Sequence, residues 1–226
     1  MISTQPKRIA FFDVDQTVIY IKSMLKFLDF LVRVCLVGDK KIQKRYLIFS
    51  KIIQMLYACK ISRRLINRFY YYFFKGIKQK DLKRFGETWF LSLDKTELFN
   101  DKVVRELKLH QESGDEVVLI SGSFHSCLDP IAAYLNVNDI ICTQQEIDRE
   151  GCFTGRILPP QIIGEGKKTA ITMFLQQRNI DPGSCFVYAD DMSDLPILRL
   201  VGNSVVIPSS IELYEVARRE KWRILE

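Results

Sequence analysis

Histidine is almost missing from this chain: His110 and His125 are the only two in 226 residues. A zinc centre built on imidazole nitrogens is therefore not expected. The six cysteines (Cys35, Cys59, Cys127, Cys142, Cys152, Cys185) are dispersed and form no C-x-x-C pair. Isolated thiols argue against a disulfide framework and for a reducing compartment. Long apolar runs are also lacking, because Asp29 and Arg33 break the first and Lys51 the second, which excludes a bilayer-spanning helix. A strand pattern starts so soon after Met1 that a signal peptide has no room. These absences lead to the expectation of a cytoplasmic protein, either soluble or peripheral on the inner membrane face. Lys and Arg total 33 against 27 Asp and Glu, a net charge of +6, too mild to call for a nucleic-acid partner.

What is present begins at Arg8-Ile9-Ala10-Phe11-Phe12-Asp13-Val14-Asp15-Gln16-Thr17. The apolar run reads as a buried parallel strand ending in two carboxylates at alternate positions, followed by a hydroxyl. Ligands in open α/β sheets bind just beyond such strand ends. Two carboxylates there cost desolvation unless a cation or a reaction makes use of them.

From about Ile21 to Leu93 no β pattern appears. Met24, Phe27, Leu28, Leu31 and Cys35 recur at helical spacing, with Lys22, Lys26, Asp29 and Arg33 opposite. A second helix over Lys40 to Cys59 reads as apolar nearly all round, with Ile48, Ile52, Met55 and Cys59 on one side and Phe49, Ile53 and Tyr57 on another. A third carries Phe69 to Phe74, and a fourth covers about Gln79 to Leu93. Alternation then takes over. The expected order is helix Glu97–Ser113, strand Glu116–Ser121, helix His125–Leu135 and strand Asp139–Thr143. A hairpin over Glu146–Leu158 turning at Glu150-Gly151 follows, then helix Glu165–Arg178, strand Cys185–Asp190, a short helix near Asp194–Leu200, and strand Asn203–Ile207. This predicts an α/β fold, a Rossmann-like parallel-sheet core made of residues 1–19 and 96–226 with an inserted all-helical cap over 20–95.

Three further segments fall at strand ends or helix starts. Ser121-Gly122-Ser123 offers a hydroxyl and backbone N–H groups as an anion cradle. In Gly164-Glu165-Gly166-Lys167-Lys168, a lysine at a helix start can neutralise a phosphate; Lys167 is favoured over Lys168 because it directly follows Gly166. Asp190-Asp191-Met192-Ser193-Asp194 brings more carboxylates. Converging on one edge, such groups hold Mg²⁺ and a phosphoryl group together. Taken singly, Asp13 and Asp15 also suit a strand-end turn, and Ser121 a helix cap. Asp191 reads as a loop hydrogen-bonder, His125 as a helix-start residue and His110 as a surface residue.

The order D-x-D-x-T, strand-end S-G-S, lysine, then D-D-x-x-D resembles the haloacid dehalogenase (HAD) superfamily. More narrowly it is similar to the phosphoserine-phosphatase-like IB subfamily, supported by Ser121 to Phe124, Gly164 to Lys167, Tyr188 to Asp191 with Asp194-Leu195-Pro196, and the tail Ala217 to Trp222. The resemblance implies Asp13 as nucleophile, becoming an aspartyl phosphate, and Asp15 as acid, then base. It implies Mg²⁺ held by Asp13, the Asp15 carbonyl and Asp190, with Asp194 either supporting the metal or orienting Lys167, and Thr17 in support. Ser121, Gly122 and Lys167 would bind the phosphoryl oxygens. The presence of Asp15 favours phosphoryl transfer over carbon–halogen cleavage. Gln16 departs from the small residue many members carry.

The expected activity is a Mg²⁺-dependent phosphomonoester phosphatase acting on a small phosphorylated substrate. Val18 to Phe27 contains no acidic residue, whereas phosphoserine phosphatases use a glutamate there, so phosphoserine itself is not favoured. From Tyr20 to Lys95, basic residues outnumber acidic ones roughly three to one, with aromatics interleaved. That pattern fits a solvated basic face over an apolar helical core. It also fits recognition of an acidic or lipid-like substrate, or peripheral attachment to an anionic membrane surface. The alternatives to hydrolysis of a soluble ester are a lipid-phosphate phosphatase of the phosphatidylglycerophosphate type, or a phosphotransferase to an alcohol. Tyr20, Lys22 and Ser23 are candidates for the cleft mouth.

Overall fold

The structure, a computed structural model, describes residues 8–59 and 61–225, with only the backbone of residues 57 and 63. Its centre is β1 (Ile9–Asp13), five residues all buried. On one side β1 pairs in parallel with β2 (Glu116–Ser121), and β2 with β3 (Asp139–Cys142). On the other it pairs with β6 (Phe186–Ala189), then β7 (Asn203–Val206) and β8 (Arg223–Ile224), giving the order β3-β2-β1-β6-β7-β8. A separate antiparallel hairpin joins β4 (Gln145–Ile147) to β5 (Phe153–Ile157).

Alternate side chains of a strand point to opposite faces, and here each face is apolar. Ile9 and Phe11 pack with Val118, Ile120 and Val187 against α8 (Glu165–Arg178), α9 (Leu195–Leu198) and α10 (Ile211–Arg219), through Ile171, Leu175, Ile197, Leu213 and Ala217. Ala10 and Phe12 face the other way with Leu119 and Tyr188, under α6 (Asp101–Glu112) and α7 (His125–Tyr134). Helices on both faces of a six-stranded parallel sheet make a Rossmann-like α/β fold, as expected.

Between β1 and α6 lie α1 (Ser23–Phe30, running on into a π-helical turn over Leu31–Cys35), α2 (Lys40–Ala58), α3 (Arg63–Tyr72), α4 (Gln79–Ser92) and the single turn α5 (Lys95–Leu98). This helical stretch shares the hydrophobic core of the adjoining sheet face. Phe27 meets Phe74, Trp89 and Phe124 at ring-centroid distances of 6.4, 5.7 and 5.9 Å. Each such buried aromatic contributes roughly 2–3 kcal/mol. The α4–α7 contact is closest at Gly86, where a Cβ would lie 1.7 Å from the Ser126 carbonyl oxygen.

Several expectations need correction. The helix expected over Glu97–Ser113 is interrupted: Phe99 is extended and forms a bridge with Ile19, and Asn100 caps α6 by accepting from the Lys102 N–H at 3.3 Å. No glycine or proline marks that break. The second helix is not apolar nearly all round in its packing. Phe49 is buried and Ile53 half-buried, whereas Ile48, Met55 and Cys59 are exposed; the Tyr57 side chain lies outside the described residues. His110 is not a surface residue: it is 9% exposed and bridges Asp115 (2.7 Å) and Tyr188 (3.0 Å) beneath Phe12 and Phe186. Those polar partners allow an imidazole inside the core. The C-terminal α10 and β8 extend the sheet beyond the last expected strand.

Candidate active site

Parallel register brings distant residues to one edge. Asp13 ends β1 opposite Ile120, so Ser121 and Gly122 leave β2 beside it, and Asp190 follows Ala189 at the end of neighbouring β6. The strand order reverses at β1, the place where open α/β sheets form a crevice. After Asp13 the chain turns tightly, with the Thr17 and Ile19 N–H groups donating to the Val14 carbonyl at 3.3 and 3.0 Å. Gln16 takes a left-handed φ of 65° in this turn, a conformation that costs a non-glycine residue about 1 kcal/mol. The residue that departs from the family pattern is thus the strained one.

Lys167 reaches the same edge from the first turn of α8. Gly164, with φ 57°, starts that helix. Gly166 packs so closely on the Gln161 carbonyl that a Cβ would lie 1.8 Å from its oxygen. The Lys167 ammonium lies 2.6 Å from Asp13 Oδ1 and 2.7 Å from Asp194 Oδ1, while Lys168 is exposed. Thr17 donates to Asp190 Oδ1 at 3.0 Å and sits 3.5 Å from Asp13 Oδ2. Asp15 Oδ1 accepts from the Ser23 N–H at 3.0 Å. The Ser121 hydroxyl accepts from the Ser123 N–H at 3.0 Å, and Tyr71 of α3 donates to the Gly122 carbonyl at 2.6 Å. Asp191 accepts from the Ser193 N–H at 2.8 Å, a loop hydrogen bond.

Burial dominates the electrostatics. It pushes Asp13 up to about 6, offset by Lys167 and reinforced by Asp190. Asp190 is raised to about 6 by burial, against the Thr17 hydrogen bond, and Asp194 to about 6 by burial, against Lys167. Burial alone would pull the Lys167 ammonium down, but Asp13 and Asp194 together outweigh it and the net direction is up. Carboxylate oxygens of Asp13, Asp190 and Asp194 lie within 4.8 Å of one another, all three buried. Asp194 Oδ1, 2.7 Å from the Lys167 ammonium, is held in an ion pair that acts on both groups. Three clustered carboxylates facing one ammonium offer the hard oxygen donors that suit a divalent cation.

Asp13, Asp15, Ser121, Gly122, Lys167 and Asp194 line one cavity of about 50 Å³, joined by Met24, Asn67, Ile163 and Ser193. A roomier cleft of about 380 Å³, beside Lys80, Lys83 and His125, does not face the carboxylates. Sequence reasoning missed Asn67 and Tyr71. Both come from α3, where a lone amide and one tyrosine of an aromatic run carry no signal of direction. Ser23, a candidate for the cleft mouth, is buried and bonds Ser123 at 3.0 Å.

Residues 10–199 match the family model for haloacid dehalogenase-like hydrolases. The chain belongs to that family. Among curated relatives, a histidinol-phosphatase of Neisseria meningitidis is 32% identical over 119 residues, 51% of this chain and 54% of that protein, so the match spans about half of the relative's length. A phosphoserine phosphatase of Mycobacterium tuberculosis is 27% identical over 230 residues, covering 95% of this chain and 69% of its own length. A Bordetella pertussis protein of unknown function superposes with a TM-score of 0.85 at 23% identity, over 98% of this chain and 99% of that one. This HAD hydrolase has, among its described residues, no helix long and apolar enough to cross a membrane.

Proposed function

We propose that this HAD hydrolase is a Mg²⁺-dependent phosphomonoester phosphatase working through a phosphorylated Asp13. The observation that carries the reading is the Asp13 carboxylate held 2.6 Å from Lys167 in one cavity with Asp15, Ser121 and Gly122. The phosphatase names of the Neisseria and Mycobacterium relatives support it.

A carboxylate oxygen of Asp13 attacks phosphorus while the bond to the leaving alcohol breaks, and Asp15 gives that alcohol its proton. Asp15 then takes a proton from water, which attacks phosphorus and releases inorganic phosphate and the Asp13 carboxylate. Lys167, the Ser121 hydroxyl and the Gly122 N–H meet the charge on the equatorial oxygens. Asp13, Asp190 and Asp194, with the Asp15 carbonyl, would hold the Mg²⁺. The ion supplies positive charge that offsets the clustered carboxylates and polarises the phosphoryl group. Thr17 keeps Asp190 and Asp13 in fixed orientation. Residues 20–95 act as a cap that covers the cleft and selects the leaving group, over a core of residues 1–19 and 96–226.

The test is phosphate release from p-nitrophenyl phosphate with and without Mg²⁺. Activity should require the ion and fall by at least 10³-fold in Asp13→Asn. Activity retained in that variant overturns the mechanism.

A further inference from the structure

Beyond the phosphoryl pocket lies a second cavity of about 80 Å³, lined by Asp15, Lys22, Met24, Leu25, Ile53, Ile66, Asn67 and Tyr70. Asp15, Met24 and Asn67 line both cavities, so this slot begins where a leaving alcohol would depart from phosphorus. Its walls come from three helices of the inserted stretch, α1, α2 and α3.

The chemistry of those walls is one-sided. Met24 and Ile66 are buried and apolar, Ile53 is half-buried, and Leu25 closes the outer rim at 45% exposure. Tyr70 spends its hydroxyl on the Met24 carbonyl, and burial pushes that phenol well above its ordinary range, so it presents a neutral ring. Among the described lining residues Asp15 is the single carboxylate, and its Oδ1 is already engaged by the Ser23 N–H. Lys22 makes the mouth cationic. An ammonium group entering this slot would lose its water, meet no carboxylate beyond the one that must deliver a proton, and face a like charge.

Asn67 adds direction. Its Oδ1 accepts from Gln161 Nε2 at 2.8 Å, and Gln161, 3% exposed, also donates to the Arg64 carbonyl at 3.0 Å. The carboxamide is thereby held with Nδ2 turned to the Met24 sulfur at 3.3 Å, a weak acceptor. An N–H donor between the two cavities is left for an oxygen stronger than a thioether.

We propose that the ester hydrolysed here is the phosphate of a short, apolar alcohol carrying no ammonium group, with its chain in the Met24–Ile53–Ile66 slot and the Asn67 amide donating to an oxygen at the ester. The proposal rests on the phosphatase reading above and narrows it. It separates this chain from any enzyme whose substrate is an amino alcohol phosphate, because such a leaving group needs a carboxylate besides Asp15, and the described lining of the slot offers none.

The experiment compares propyl phosphate with O-phosphoethanolamine, which replaces the terminal methyl by an ammonium at nearly constant shape. Methyl phosphate serves as an ester too small to fill the slot. With Mg²⁺ present, kcat/KM for propyl phosphate should exceed that for phosphoethanolamine more than tenfold. Leu25→Glu, which places a carboxylate at the half-exposed rim, should shrink that ratio at least fivefold, chiefly through the KM for the amine. Asn67→Leu should raise KM for both esters while leaving their ratio within twofold. Equal rates for the two esters, or a preference for the amine, in the unaltered protein overturns the inference while the phosphatase reading stands. Phosphate release from p-nitrophenyl phosphate with none from these three compounds overturns this inference alone, whereas no release from p-nitrophenyl phosphate either overturns the phosphatase reading, and this inference with it.

Discussion

Removing divalent cations should make this protein less stable as pH rises from about 4.5 to 7, the reverse of ordinary acid denaturation. Asp194, nearly fully buried, has its pKa raised from 3.8 to about 6. Between those values the folded chain keeps a proton that the unfolded chain has released. A raised carboxyl therefore favours the folded state when both states are protonated, and that advantage is lost as pH climbs through 6. The full span for Asp194 is about 3 kcal/mol, of which about 2 falls between pH 4.5 and 7. Asp13 and Asp190 move in the same direction but share the same charge cluster, so their contributions do not simply add. Other shifts act at the edges of the window. The lowered carboxyls of Glu106, Asp94, Glu146 and Glu212 stabilise above about 4.5 and lose that effect below it. His125, raised to about 10 chiefly by its hydrogen bond to Asp129, favours the folded state fully below its ordinary 6.5 and loses that effect as pH rises past it, so it adds to the fall only at the upper end of the window. Urea unfolding in EDTA, followed from pH 4.5 to 7, should show unfolding free energy falling by about 2 kcal/mol or more. Asp194→Asn should remove about 2 kcal/mol of that fall. Mg²⁺ at about a hundred times its dissociation constant should restore about 2.7 kcal/mol at pH 7. A free energy that stays flat or rises with pH in EDTA, or an unchanged slope in Asp194→Asn, would refute the reasoning.

Gly86→Ala drives a methyl into the Ser126 carbonyl; α4 and α7 must separate, at a cost of about 3 kcal/mol, seen in calorimetry as a Tm lower by about 6–12 °C. Tyr71→Phe removes the donor to the Gly122 carbonyl. It should cost about 1–2 kcal/mol in urea unfolding and raise KM for a phosphate ester several-fold, because the bond fixes Gly122, whose own N–H meets the phosphate in the proposed mechanism. His110→Phe leaves Tyr188 and Asp115 each short of one partner, which predicts about 1–3 kcal/mol of destabilisation with kcat and KM within about twofold of the unaltered protein.

The sheet was legible because strands buried on both faces read as unbroken apolar runs, and Ile9–Asp13, Glu116–Ser121 and Phe186–Ala189 all do. The meeting of Asp13, Ser121, Lys167, Asp190 and Asp194 follows from parallel strands ending at one edge, so position at a strand end stood in for three-dimensional proximity. What escaped was set by tertiary contact. Phe99 leaves the helix because Ile19 offers it a bridge, although its local propensity continues a helix. His110 is buried because Asp115 and Tyr188, five and 78 residues away, satisfy its two nitrogens. The direction of Asn67 depends on Gln161, a residue 94 positions away. Local pattern carries no trace of such partners.

Where the chain leaves the sheet for its helical excursion, it also comes back. Val18 accepts from the Asn100 N–H at 2.9 Å, Tyr20 donates to the Leu98 carbonyl at 2.9 Å, and Ile19 and Phe99 bridge antiparallel between them. Departure and return are thus stitched at a single seam, a few residues downstream of Asp13 and Asp15. A lineage could exchange everything enclosed by that seam for another insert without disturbing one pairing of the six-stranded sheet, altering diet while keeping the same teeth.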